Sequence, residues 1–184
     1  MPLGAPNTGS VGSTFPLQPT LLGRFVHLRP LRADDFERLY AVASDPLIWE
    51  QHPESTRHQR DVFRKFCDGA MASGGAFLVT DAAMGAVIGS SRYHAYNEAQ
   101  RSVEIGWTFL ARSHWGGDYN GEMKRLMLRH AFQFVDRVEF IIGIANTRSW
   151  RAIERIGAVF AGERPGNAGN PSVVYVVTKE SFAD

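Results

Sequence analysis

A glycine-rich turn sets the terms for this chain: Trp115-Gly116-Gly117-Asp118-Tyr119-Asn120-Gly121-Glu122-Met123-Lys124. Ahead of it, Val103-Glu104-Ile105-Gly106-Trp107-Thr108-Phe109-Leu110 reads as a strand. Behind it, Met123, Leu126, Met127, Ala131 and Phe134 recur at the spacing of a buried helix stripe. Strand, small-residue turn and helix in that order make a device for holding phosphate. Small residues let the backbone come close to a ligand, and a helix N-terminus presents unpaired N–H groups and a partial positive charge. Lys124 reads as a solvated residue of that helix, with a phosphate as its one other partner.

The flanking sequence builds a frame for this turn. Residues 1–19 are rich in Gly, Pro, Ser and Thr and are expected to form a flexible N-terminal tail, with residues 20–184 as a single domain. Phe25, His27 and Arg29 alternate with Val26 and Leu28, a strand pattern closed by Pro30. Asp34 and Asp35 precede a short helix carrying Phe36, Leu39, Tyr40 and Ala43, and Asp45-Pro46 stops it. Residues 48–53 read as a loop with an exposed-type aromatic, Trp49. A second helix over residues 57–72 turns Val62, Phe63, Phe66 and Ala70 to one side and ends at Gly74-Gly75. Strands over residues 76–80, 86–96 and 102–110 follow as an antiparallel meander. A buried strand at 138–144, a short helix from Asn146 to Gly157, and strands at 158–163 and 172–177 complete the chain. This order, β-α-α-β-β-β-α-β-α-β-β, predicts an α+β fold: a mixed, mainly antiparallel sheet of about seven strands with helices on both faces.

Composition narrows the function classes. With 44% hydrophobic and 21% charged residues and a net charge of +1, the chain lacks the basic excess of a nucleic-acid binder. No apolar run approaches the roughly 18 residues of a membrane span, and the N-terminus has no signal-peptide pattern. A cytoplasmic protein without membrane or nucleic-acid partners is the expectation. Cys67 is the only cysteine, which excludes an intramolecular disulfide and a zinc cluster; it reads as a buried, inert helix thiol. No metal is expected.

Two other phosphate-binding arrangements are absent. There is no G-x-G-x-x-G opening a parallel βαβ unit, and no Gly-Lys-Ser/Thr of a triphosphate loop. The chain instead resembles the GNAT superfamily of acyl-CoA-dependent N-acetyltransferases, on the branch of the ribosomal-protein N-terminal (alanine) acetyltransferases. The resemblance runs over residues 22–182. Its carriers are Leu28-Arg29-Pro30-Leu31 with Asp34-Asp35, the Ile88-Gly89 pair, Glu104-Ile105-Gly106-Trp107, the turn from Trp115 to Glu122, and Asn146-Thr147-Arg148-Ser149 with Ala152, Glu154, Ile156 and Gly157.

The resemblance implies the acyl-CoA N-acyltransferase fold and acetyl-CoA as co-substrate. It implies that Phe109, Leu110, Trp115, Gly116, Gly117, Asp118, Tyr119, Asn120, Gly121 and Asn146 hold the coenzyme, with Arg112 the nearest cation for one of its phosphates. Asp118 departs from the superfamily pattern, which has a glycine there, and a carboxylate beside a pyrophosphate is repulsive unless it points to solvent. Ser149 stands where the branch carries a serine near the coenzyme sulfur, and equally suits a helix N-cap.

Acetyl transfer from a thioester to an amine needs a base for the amine proton, a donor for the oxyanion, a proton for the thiolate, and two substrates held together. Regular alternation puts Glu104, Gly106 and Thr108 on one side of their strand and Val103, Ile105, Trp107 and Phe109 on the other. Glu104 is then either the base, acting through water, or a structural ion-pair partner of Arg92 or His94. Trp49, His94 and Tyr96 are candidates for the acceptor cleft, in company with Glu50, His52, Arg92 and Tyr175. His27 and His114 read as structural. The function expected is N-acetyl transfer to a primary amine, at a protein N-terminus or on a small molecule, by direct attack in a ternary complex. The alternative is a non-catalytic acyl-CoA-binding or sensing module. A homodimer is left open.

Overall fold

A computed structural model describes residues 14–166 and 170–182. Its twelve regular elements, leaving aside short 3-10 turns, are β1 (Leu21–Leu22), β2 (Val26–Pro30), α1 (Phe36–Ala43), α2 (Arg60–Ala72), β3 (Ala76–Asp81), β4 (Val87–Asn97), β5 (Ser102–Leu110), α3 (Asp118–Ala131), β6 (Arg137–Gly143), α4 (Thr147–Glu154), β7 (Val159–Pro165) and β8 (Pro171–Thr178). The eight strands form one sheet in the order β1-β2-β3-β4-β5-β6-β8-β7. Every neighbouring pair is antiparallel except β5 and β6. The eighth strand, beyond the seven expected, is the two-residue β1, too short to show a period. No helix among the described residues is long and apolar enough to cross a membrane.

Helices cover both faces of the sheet. On one, Phe36 and Leu39 of α1 and Phe63, Phe66 and Ala70 of α2 pack over Leu78 and Phe109. On the other, Met123, Met127, Leu128 and Ala131 of α3 pack over Phe77, Tyr93, Val103 and Ile105. Tyr93 sends its hydroxyl to the Met127 carbonyl oxygen at 2.5 Å, so that buried polar atom is satisfied. Arg29 forks onto Asp35 at 2.8 and 2.5 Å, tying β2 to the start of α1. Cys67 is buried, and burial pushes its thiol up to about 12, as an inert cysteine requires.

Residues 1–13 of the expected tail lie outside the described residues, and the stretch after them is packed. Phe15 meets Tyr93 and Tyr96 edge-on at 5.0 and 5.3 Å, and the Gln18 side-chain amide donates to the Ala76 carbonyl at 2.8 Å. One large aromatic among small residues gains enough contact to order its neighbours. Trp49 also departs from its loop-surface reading. It is only 2% exposed, its indole N–H donates to the Ala43 carbonyl at 2.7 Å, and it thereby closes the C-terminus of α1.

The feature that opens a site is a bulge in β5. Ser90 pairs with Phe109 and Arg92 with Gly106, so two steps along β4 answer three along β5. Trp107 absorbs the extra residue in the left-handed region, at φ 50°. Past this point the side chains change sides. Trp107 and Phe109 join the α1–α2 face with Glu104, while Thr108 turns toward α3. The regular alternation expected from sequence, with Thr108 beside Glu104, holds only before the bulge. Pairing of β5 with β6 ends at Glu104 and Glu139, and beyond it the two parallel strands diverge into a cleft.

Candidate active site

The cleft is a cavity of about 1090 Å³. The ends of β5 and β6 form its walls, and the turn before α3, the start of α4 and the loop around Trp49 form its rim. Of the residues singled out from sequence, Trp49, His94, Glu104, Phe109, Leu110, Trp115, Gly116, Gly117, Asp118, Asn120, Gly121, Asn146 and Ser149 line it. Tyr96, Tyr119 and Arg112 do not: Tyr96 packs against Phe15, Tyr119 donates its hydroxyl to Asp81 at 3.1 Å, and Arg112 is paired with Asp45 at 2.5 Å. Of their companions as acceptor-cleft candidates, His52 lines the cavity and Glu50, Arg92 and Tyr175 do not.

At one end of the cavity, Gly116 takes φ 73°, open to glycine without strain, and Gly117 sits at the N-cap of α3 with no side-chain cap. The first-turn N–H groups of α3 are therefore orphan donors facing the cleft, suited to a pyrophosphate. Asp118, at the first helical position, is exposed and interacts favourably with the helix dipole, so the carboxylate that departs from the family pattern has solvent beside it. Arg125 lies against this turn, its guanidinium 3.2 Å from where a Cβ on Gly121 would stand. Arg151 of α4 and Arg155, which caps its C-terminus, also line the cavity and are exposed. These arginines, overlooked in the sequence, share a cavity because α3 and α4 both begin at its rim; Arg112 does not reach it.

Asn146 caps α4, accepting from the Ser149 N–H at 3.2 Å. The cap is thus the asparagine, and the half-buried Ser149 hydroxyl faces the cavity. Arg148 stacks on Trp115 at 3.9 Å and donates to the Ile48 carbonyl at 2.9 Å, tying α4 to the Trp49 loop. Trp115 in turn donates to the Leu110 carbonyl at 2.9 Å, which fixes the turn to the end of β5.

In the middle of the cavity stands Glu104, 9% exposed and without a hydrogen-bond or ion-pair partner among the described residues. Neither neighbour proposed for it is paired to it: Arg92 lies over the Trp107 ring at 4.7 Å, and His94 meets that ring edge-on at 4.6 Å. Burial pushes the Glu104 carboxyl up to about 7; Glu139 adds to the rise, and Arg164 and Arg92 oppose it. A carboxyl poised there takes a proton from an ammonium or a water near neutral pH.

Lys124 is the residue most misjudged from sequence. It is 3% exposed, donates to Ser91 at 3.3 Å and to Thr108, and lies 5.7 Å from the Phe140 ring centre. Burial lowers its amine from 10.5 to about 7. Above pH 10.5 folded and unfolded lysine are both neutral. As pH falls toward 7 only the unfolded one gains a proton, so stability is lost across that window and is flat below it. Lys124→Met is therefore expected to stabilise the protein at pH 7 by up to about 5 kcal/mol, with the gain shrinking by pH 10. Ser91 and Thr108 would still bond each other, at 2.8 Å. Denaturant unfolding at both pH values checks this; an equal gain at both contradicts it.

A mixed sheet that splays between its two parallel strands, with a phosphate-type turn at one end of the split and a neutral-range carboxyl in its middle, defines an acyltransferase of the acyl-CoA N-acyltransferase fold. The family model of the acetyltransferase (GNAT) domain matches residues 26–159, and the chain belongs to that family. A GCN5-related N-acetyltransferase from Brucella melitensis superposes with a TM-score of 0.79 at 24% identity, over 89% of this chain and 80% of that one. A GNAT-family acetyltransferase from Bacillus anthracis gives 0.73 at 21%, over 88% and 99%. RimJ of Mycobacterium smegmatis, in complex with CoA-disulfide, gives 0.71 at 21%, over 91% and 89%. At these identities the likeness is one of fold. No curated protein sequence matches the chain.

Proposed function

We propose that the chain transfers an acetyl group from acetyl-CoA to a primary amine, with Glu104 as the base. The observation that carries this is the unpaired, buried Glu104 carboxyl in the cleft where β5 parts from β6. The amine nitrogen attacks the thioester carbonyl carbon, Glu104 takes the amine proton through a water, and the carbon–sulfur bond breaks as the amide forms. N–H groups on the β6 side of β5 beyond Glu104 have no strand to pair with and serve the pantetheine arm and the oxyanion. In this reading the Ser149 hydroxyl, on the cavity wall, protonates the departing thiolate. A binding or sensing module would want Glu104 paired and the cleft closed, and it has neither feature. The fold likeness to RimJ supports a place near the ribosomal-protein branch, with the acceptor at a protein N-terminus or on a small molecule.

The coenzyme end is tested by calorimetry with CoA. Arg125→Ala is expected to weaken CoA about tenfold, the worth of one charge-assisted phosphate contact, and to flatten the salt dependence of binding. Arg112→Ala, whose side chain is engaged with Asp45, is expected to change the affinity less than twofold. The opposite ranking would place the phosphates elsewhere, and no CoA binding by the unaltered protein would overturn the reading.

A further inference from the structure

The acceptor end of the cavity carries a positive charge that no ion pair among the described residues neutralises; Glu54, on the same wall, acts on it only at longer range. Arg57 lines the cavity, stacked over Trp49 at 5.2 Å and Phe66 at 4.9 Å, and has no carboxylate within ion-pair distance among the described residues. Its nearest carboxylate in sequence, Glu54, accepts instead from the Thr56 hydroxyl. Arg92, beneath Trp107 and also stacked on Phe66, is 5% exposed with its Nε unpartnered. Two guanidiniums, one half-buried and one buried, therefore flank one aromatic ring, and desolvation lowers both to about 10.

The contact that Arg57 does make is frustrated. Its Nη1 lies 3.1 Å from His52 Nε2, while His52 Nδ1 accepts from the Glu54 backbone N–H at 2.9 Å. Burial, with Arg57 adding to it, lowers His52 to about 4, so the ring is neutral and has one acceptor nitrogen. With Nδ1 accepting, Nε2 carries the proton and faces another donor. An external acceptor on Arg57 resolves this conflict, and a carboxylate matches a guanidinium fork best.

Resting on the acetyl-transfer reading above, we infer that the acceptor is an aminocarboxylate, whose carboxylate docks on Arg57 while its amine stands at Glu104. Trp49, Trp107 and Phe109 line the same cavity and suit an apolar or aromatic body. A polyamine would bring its own cations against Arg57, with Arg92 beneath the wall, and an amine without a carboxylate would leave Arg57 as it is.

The test follows thiol release from acetyl-CoA with matched acceptors: phenylalanine, its methyl ester, phosphoethanolamine, spermidine and a peptide with a neutral N-terminal residue. The acid is expected to exceed the ester at least tenfold in kcat/KM. Arg57→Gln is expected to raise the KM for the acid at least tenfold and bring the acid-to-ester ratio toward one, and Arg57→Lys to recover part of it. The acid-to-ester ratio of the unaltered protein needs no variant, so a poorly folding substitution leaves the test intact. Equal or better turnover of the ester, spermidine, phosphoethanolamine or the peptide overturns the inference, and so does an Arg57→Gln protein that keeps the ratio. CoA binding by calorimetry with no thiol release from any amine overturns it too while sparing the coenzyme site. Absence of CoA binding overturns the reading on which it rests.

Discussion

Glu104→Gln is expected to lower kcat/KM by about 10²–10⁴ with any accepted amine, the range in which a positioned base contributes. Glutamine is nearly isosteric, so CoA affinity should stay within about twofold, and the loss belongs to the proton-transfer step. The pH profile gives the sharper signature. With the carboxyl near 7, the unaltered enzyme's kcat/KM should climb with pH through about 7 and level off above it, and the variant's should lose that rise. Stability should move the opposite way. The folded carboxyl titrates near 7 against an ordinary 4.5, so the stability it contributes is whole below pH 4.5 and is lost as pH rises through 7. At pH 8 Glu104→Gln should therefore be more stable by up to about 3 kcal/mol, and at pH 4 unchanged. A variant that loses activity without gaining stability at pH 8 would mean that the carboxyl is not strained as the structure has it.

The two results share one cause. The cleft exists because β5 carries an extra residue at Trp107 and stops pairing with β6 at Glu104. Glu104's strand partners are His94, turned onto the Trp107 ring, and another carboxylate, Glu139, so neither pairs it, and the divergence beyond gives it a substrate to face. A structure that filled the cleft or paired the carboxyl would be more stable and would have no base, a trade seen where catalytic groups are held in unfavourable surroundings.

The elements were legible in the sequence because each carries a local period. The β3–β5 meander, the turn at Gly116-Gly117 and the amphipathic α2 and α3 all follow from residues within about ten positions of one another. The bulge was not legible, since alternation assumes a regular strand and a single αL residue breaks it without any change in composition. Thr108 was assigned to the wrong side for that reason alone. Lys124 did leave a signal: Met127 and Leu128, its neighbours at three and four positions, are both large and apolar, a setting that sinks a lysine into the core. Arg112 lies off the cavity lining, engaged with Asp45 from 67 residues away, and nothing near either residue announces the pair. The charge at the acceptor end was hidden likewise, since Arg57, Arg92 and His52 meet only when α2 lies on the sheet.

Glu122→Ala is expected to lower stability by about 3 kcal/mol and the melting temperature by roughly 6–12 °C. The carboxylate in the first turns of α3 accepts from the backbone N–H groups of Arg24, Phe25 and Val26 at 2.8, 2.7 and 2.9 Å. It thereby ties the helix to the turn between β1 and β2. Gly23 is part of the same joint, because a Cβ there would stand 2.5 Å from Glu122 Oε2. Alanine would leave the Phe25 and Val26 donors half-buried without an acceptor, and water reaches only the exposed Arg24 N–H well. Glutamine should cost less, about 1 kcal/mol, since its oxygen can keep the two contacts made by Oε2 and only the bond from the exposed Arg24 N–H, which an amide nitrogen cannot accept, is lost to water. The loss should also be felt at the coenzyme, because Glu122 directly follows the glycine turn whose N–H groups face the cavity. A several-fold weaker CoA affinity in Glu122→Ala, measured well below its melting temperature, is the expected companion result. An unchanged affinity beside a lowered melting temperature would show that the turn holds its shape without this anchor.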